Sequence, residues 1–79
     1  MSDFKKVQVK WVDSVRSDGW QYVEDIKADC IDCETIGYLV AETDRCYCLT
    51  STLGLNPLQL CQYISIPKCA VKEFKELAI

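Results

Sequence analysis

The chain has 79 residues, a formal net charge of −3 and six cysteines, and 49% of its residues are hydrophobic. This length fits one small domain spanning residues 1–79, and no apolar run reaches the about 20 residues that a membrane-spanning helix needs. The sequence contains no histidine, which removes the commonest general base and the usual Cys-His and Ser-His nucleophile pairs. We therefore expect a non-catalytic protein without a cofactor. Its first residues lack the apolar core of a secretory signal, so we expect a cytoplasmic location.

The charge is unevenly distributed along the chain. Residues 17–44 carry eight acidic side chains and one lysine, which gives this third a charge of 1 − 8 = −7. An acidic surface opposes nucleic-acid binding and attracts a basic protein surface. The alternative is a solvated acidic loop that keeps a small protein soluble.

The first element in chain order is a strand over residues 5–13. Val7, Val9 and Trp11 alternate there with polar residues, as in a strand with one buried face. After a loop punctuated by Gly19, the spacing of Trp20, Val23 and Ile26 becomes helical. This predicts one or two helical turns at about residues 20–27, which lay Trp20 and Val23 over one end of the sheet.

The central hairpin covers residues 33–53. Two β-prone runs flank the polar turn 42–45, which is short enough to make them antiparallel. Ile36, Tyr38 and Val40 lie on one face of the first run, and Gly37, Leu39 and Ala41 lie on the other face. Because both faces are apolar, we expect a central strand in a curved sheet with little access to water.

The remaining residues predict two further elements. Leu58, Leu60, Gln62, Ile64 and Ile66 share one face of a fourth strand, which Pro67 ends. Residues 68–79 fit either a short helix or a 3₁₀ turn that leads into a closing strand. Four or five strands without a βαβ rhythm indicate a mainly β fold, namely a small antiparallel barrel that closes to protect its edges.

Two resemblances extend this interpretation. The run from Ile64 to Leu77, with its Ile-Pro step followed by Val71 and Phe74, resembles the ending of many SH3-like and Sm-like small barrels. The resemblance implies a 3₁₀ turn and then a final strand at residues 72–77. It thereby implies a five-stranded SH3-like barrel with one short helical insert.

The whole chain is also similar to small proteins encoded by phages and prophages. The shared features, in chain order, are Val9–Asp13 ending in Trp-x-Asp, Gly19-Trp20, the acidic pair Glu24-Asp25, and Cys33–Val40. This likeness implies an uncharacterised protein acting in the cytoplasm of a bacterial host. Many phage proteins of this size bind and block host machinery, which suggests a module that docks on and inhibits a host protein such as a defence factor.

The cysteines could form one alternative site. Cys30, Cys33, Cys46 and Cys48 could together supply four thiolates to a structural zinc, which would staple the fold. Cys46 and Cys48 sit two residues apart in a predicted strand, so their sulfurs are about 6.5–7 Å apart along it, which is wide for one metal. Buried free thiols are the competing interpretation, and we expect no metal.

Two sets of residues are candidates for binding. The contact set lies in the acidic insert, where aromatic side chains combine apolar area with a polar handle: Trp20, Tyr22, Glu24 and Asp25. Trp20 could instead plug the end of the barrel. The alternative set would sequester a small signalling nucleotide at a subunit interface through Lys6, Lys10, Arg16 and Arg45. Homo-oligomerisation through edge strands is open.

Overall fold

A computed structural model describes residues 4–78 and gives this part of the chain a mainly β fold with seven strands and two 3₁₀ turns. The 3₁₀ turns are Val23–Asp25 and Lys68–Ala70. The strands, in chain order, are β1 (Lys6–Asp13), β2 (Ile31–Glu42), β3 (Cys46–Thr50), β4 (Leu53–Gly54), β5 (Gln59–Leu60), β6 (Ile64–Pro67) and β7 (Val71–Glu76). No helix among the described residues is long and apolar enough to cross a lipid bilayer.

Five strands form one antiparallel sheet in the order β6-β3-β2-β1-β7. The predicted hairpin is confirmed: β2 and β3 pair on either side of a turn in which the Thr43 hydroxyl accepts hydrogen bonds from the backbone N–H groups of Arg45 and Cys46. The prediction that the first strand of this hairpin is central is also confirmed, because β2 has two strands on each side.

The sheet is strongly curved. A register shift between Leu39 and Ala41 marks a bulge in β2, and bulges bend the strand that carries them. The rings of Tyr47 on β3 and Phe74 on β7 stack with centroids 4.6 Å apart. Two strands separate β3 from β7 in the sheet order, so a flat sheet would hold them about 14 Å apart. The curvature therefore brings the two halves of the sheet face to face.

The prediction of a closed barrel is wrong. Within residues 4–78, no ladder joins β6 to β7, and the sheet remains open between these two edges. The second 3₁₀ turn crosses this opening, and Lys68 in it donates its backbone N–H to the Arg45 carbonyl at 2.8 Å. The expected succession of 3₁₀ turn and final strand is confirmed, and the helical alternative for the C-terminal segment is wrong.

The core occupies the concave face of the sheet. Among the described residues it consists of four fully buried side chains, Val7, Val9, Leu49 and Ile66. Trp11 packs against them and donates its indole N–H to the Thr35 hydroxyl at 3.0 Å. The convex face is open, since Ile36 is exposed there, so the expectation that β2 has little access to water on both faces is wrong.

The predicted fourth strand is interrupted. Only its last part forms β6, while Gln59–Leu60 pairs with Leu53–Gly54 in a separate two-stranded hairpin. Asn56 in the connecting turn has φ 81°, a left-handed conformation that asparagine tolerates better than most residues. Leu58, Leu60 and Gln62 are consequently exposed. Ile64 shares a face of β6 with Ile66 as predicted, but it remains partly exposed.

Candidate functional site

The connection between β1 and β2 is a projecting segment of residues 14–30, which we call the arm. Asp13 and Ile31 pair at its base, and every residue from 13 to 32 is exposed. The molecule is correspondingly elongated, with extents of 54 × 23 × 23 Å. Its radius of gyration is 16.3 Å, whereas a compact domain of this length has about 12 Å. The sheet therefore carries the arm as a protrusion.

The predicted helical insert at residues 20–27 is reduced to the 3₁₀ turn Val23–Asp25. Asp25 N–H donates to the Tyr22 carbonyl at 3.0 Å, and Ile26 N–H donates to the Val23 carbonyl at 3.3 Å. Tyr22 and Ile26 are both extended, and no side chain caps the turn. A short helix needs tertiary packing to be stable, and the sheet surface does not reach this segment.

The arm presents its aromatic side chains to solvent. Trp20 has a relative exposure of 104%, Val23 of 82% and Tyr22 of 75%. The expectation that Trp20 and Val23 lie over one end of the sheet is therefore wrong, and Trp20 does not plug a barrel. Buried Trp and Tyr side chains dominate the energetics of many interfaces, and here both are available for contact.

Two carboxylates stand in the same turn as this apolar cluster. Glu24 and Asp25 follow Val23 directly, form the first turn of the 3₁₀ segment and are exposed. The arm thus brings all four predicted contact residues into one stretch of six residues. Apolar rings beside carboxylates can bury area against a partner while attracting its lysine and arginine side chains.

The alternative basic set is dispersed over the molecule. Lys6 and Lys10 lie in β1, Arg16 lies in the arm beyond the Asp13–Ile31 end of β2, and Arg45 lies in the turn beyond its opposite end. Three of the four interact locally: Lys10 Nζ lies 3.8 Å from Glu73, Arg16 Nε lies 2.9 Å from Asp18, and Lys6 Nζ lies 5.6 Å from the Tyr38 ring centre. One chain therefore does not gather these four residues around one ligand.

The four candidate zinc ligands are also not assembled. Cys30 ends the arm and Cys33 lies at the start of β2, whereas Cys46 and Cys48 lie in β3 beyond the other end of β2. Residues 33 and 42 are about 30 Å apart along that strand. Within residues 4–78, no group of three or more His, Cys, Asp or Glu side chains has the geometry of a metal site.

Lys68 forms an ion pair at the open edge of the sheet. Its ammonium donates to Glu42 Oε2 at 2.7 Å, and this hydrogen bond raises the pKa of Lys68. The ammonium also lies 4.8 Å from the centre of the Tyr47 ring. The Lys68–Glu42 hydrogen bond joins the second 3₁₀ turn to the end of β2, so these two side chains have a structural role.

The sequence-based interpretation missed an apolar groove on the convex side of the molecule. It lies between the outer face of β2–β3 and the β4–β5 hairpin and encloses about 440 Å³. A signal for it was present, since residues 46–67 contain no charged side chain. The groove is lined by Phe4, Val40, Ala41, Cys48, Leu53, Leu58, Gln59, Leu60 and Tyr63.

Comparisons of the chain with protein-family models, with curated proteins and with solved structures found no match.

Proposed function

We propose that the chain is a non-catalytic binding module whose arm docks on a basic surface of another protein. The observation that carries the proposal is the full exposure of Trp20 in the arm, beside Tyr22 and Val23. A soluble protein gains nothing in folding stability from such a side chain, whereas an interface can bury about 150–250 Å² on each aromatic ring.

The chemistry of the partner follows from the charges around these rings. Glu24 and Asp25 follow Val23 directly, and the arm carries four acidic and two basic side chains, a net charge of 2 − 4 = −2. Complementary potentials accelerate association and reject partners of like charge. A basic surface with an apolar pocket for Trp20 is therefore the partner surface that this arm fits best.

A host protein, such as a bacterial defence factor, is the partner class that we propose. The support is the resemblance of the chain to small phage and prophage proteins, together with an arm suited to occupying a site on another protein. We also propose that the open five-stranded sheet is related to SH3-like small barrels. The succession of strand, 3₁₀ turn and final strand over residues 64–76 supports that relationship.

The test is an affinity capture from bacterial lysate with three versions of the chain. The arm variant carries Trp20→Ala, Glu24→Lys and Asp25→Lys. The matched control carries Ile36→Ala, Glu34→Lys and Asp44→Lys, which makes the same change in charge within the same acidic third but outside the arm. We expect the wild type and the control to retain the same basic protein, and the arm variant to bind it at least about 30-fold more weakly.

The outcome that contradicts the proposal is equally specific. If the arm variant captures every protein that the wild type captures, with unchanged affinity, the arm is not the docking surface. If the control loses the partner as well, general acidity explains the binding and the aromatic residues do not.

A further inference from the structure

The chain exposes much more surface than a compact monomer of its mass. Its accessible surface is 6593 Å². A compact monomer of 9.0 kDa exposes about 4,850 Å². The excess of about 1,700 Å² is comparable to the surface that one subunit loses in an obligate homodimer, about 1,000–2,500 Å². The arm contributes to this excess, and apolar side chains outside the arm, such as Leu58 and Tyr63, are exposed as well.

The second apolar surface is at the other end of β2 from the arm. We call it the neutral patch, and it consists of Leu58, Leu60 and Tyr63. All three side chains line the groove of about 440 Å³, so they form one continuous surface. Leu58 and Tyr63 are 55% and 64% exposed.

The neutral patch differs from the rest of the surface in its charge. The groove that it lines has no charged residue in its lining, whereas residues 17–44 have a charge of −7. Interface cores are depleted of charged side chains. A basic partner is attracted to the acidic arm and finds no counter-charge at this patch.

We propose that the neutral patch is the interface of a homodimer. Two copies of an acidic chain repel each other wherever their charged faces meet, and this uncharged surface lets them approach without that cost. The buried core of the described chain has only four residues, so we expect the fold to need further burial of apolar surface for its stability. A second copy of the same chain is the partner that is always present when the chain folds.

The dimer leaves the arm free. The groove residues Val40 and Ala41 lie at the end of β2, and the arm joins β2 at Ile31, about 30 Å away along the strand. The homodimer is therefore a proposal independent of the docking function, and it would present two arms to one partner surface.

Sedimentation velocity over about 1–100 µM, a range that brackets a micromolar interface, tests the proposal. We expect the wild type to sediment as a species of about 18 kDa, twice the mass of one chain. Leu58→Glu places a carboxylate in the patch and should abolish the dimer. Tyr63→Ala removes apolar area without adding charge and should weaken dimerisation at least about tenfold. Val23→Glu, the same kind of apolar-to-acidic change at an exposed position in the arm, is the control and should leave the dimer intact.

Circular dichroism of each variant separates loss of the dimer from loss of the fold. If Leu58→Glu unfolds, the dissociation constant of folded Tyr63→Ala decides the question. A wild type that stays monomeric at the highest concentration overturns the proposal and assigns the groove to a different occupant. A dimer that survives both patch variants but dissociates with Val23→Glu overturns it as well. Capture of the basic partner by Leu58→Glu tests the arm separately, so the two proposals can fail independently.

Discussion

The arm and the concave face of the sheet contain similar apolar residues, but those of the sheet are buried and those of the arm are exposed. β1 alternates apolar and polar positions, so Val7 and Val9 point to one side and are completely buried. In the arm, Trp20, Val23 and Ile26 are three residues apart, which suits a helix, yet no surface supports one. An apolar side chain is therefore buried only where its strand pairs with a neighbour and another part of the sheet packs against it. Hydrophobicity alone does not decide burial. Stability and binding are thereby assigned to separate parts of one small chain.

The sharpest test of this division compares Leu49→Ala with Trp20→Ala. Leu49 is 1% exposed in the centre of the core, so its truncation leaves a cavity and should reduce the free energy of unfolding by about 2–5 kcal/mol. Trp20→Ala removes a larger side chain but should change that free energy by less than about 0.5 kcal/mol, because the indole contacts solvent. Urea denaturation measures both. Equal destabilisation by the two substitutions would show that the arm packs on the sheet in solution.

A second test of the same division substitutes glycine. A Cβ atom on Gly37 would lie 2.6 Å from the Thr50 carbonyl oxygen, which is backbone and cannot move aside easily. We expect Gly37→Ala to lower the free energy of unfolding by about 1–3 kcal/mol. Gly54→Ala is the matched control within the β structure, since its Cβ would meet the flexible Gln59 side chain at 2.9 Å. Its effect on urea denaturation should be smaller.

Gly19→Ala extends the glycine comparison to the arm. Gly19 has φ +94°, which alanine rarely adopts, but nothing lies within 4 Å of its added Cβ. Because no ladder holds the arm, its backbone can relax, and the free energy of unfolding should stay within about 0.5 kcal/mol. A loss as large as that of Gly37→Ala would indicate that the arm has a fixed conformation coupled to the sheet.

The local sequence pattern was sufficient to predict elements whose structure is determined by a few neighbouring residues. The alternation in residues 5–13 and the polar turn between β2 and β3 each specify a structure within a few residues, and both predictions are confirmed. The 3₁₀ turn before β7 came from a resemblance to known barrels, because the spacing of Val71 and Phe74 also suited a helix.

The features that could not be predicted from the sequence depend on packing between distant segments of the chain. Whether β6 and β7 pair depends on the accumulated curvature of five strands, which no single segment encodes. The exposure of Trp20 depends on whether the sheet reaches the arm, and its helical spacing favoured the opposite outcome. The contact residues Trp20, Tyr22, Glu24 and Asp25 could be selected by chemistry, but their exposure became visible only in the structure.

The smallest expected effect on stability comes from the open edge of the sheet. In the described part of the chain, side-chain contacts, and no strand pairing, join the second 3₁₀ turn to β2 there. The hydrogen bond to Glu42 raises the pKa of Lys68 above its ordinary value of 10.5. The folded state therefore holds this proton more tightly than the unfolded state does. The resulting stabilisation is complete below pH 10.5 and is lost as the pH rises through the raised pKa of the folded protein.

Glu42→Gln removes the acceptor charge and should abolish this contribution. The melting temperatures of wild type and variant should differ slightly at neutral pH and converge as the pH passes above 10.5. Taking the difference between the two proteins cancels the contributions of the ionisable groups that both proteins share. A difference that persists unchanged at high pH would mean that Glu42 stabilises the sheet edge by a route that does not involve the charge of Lys68.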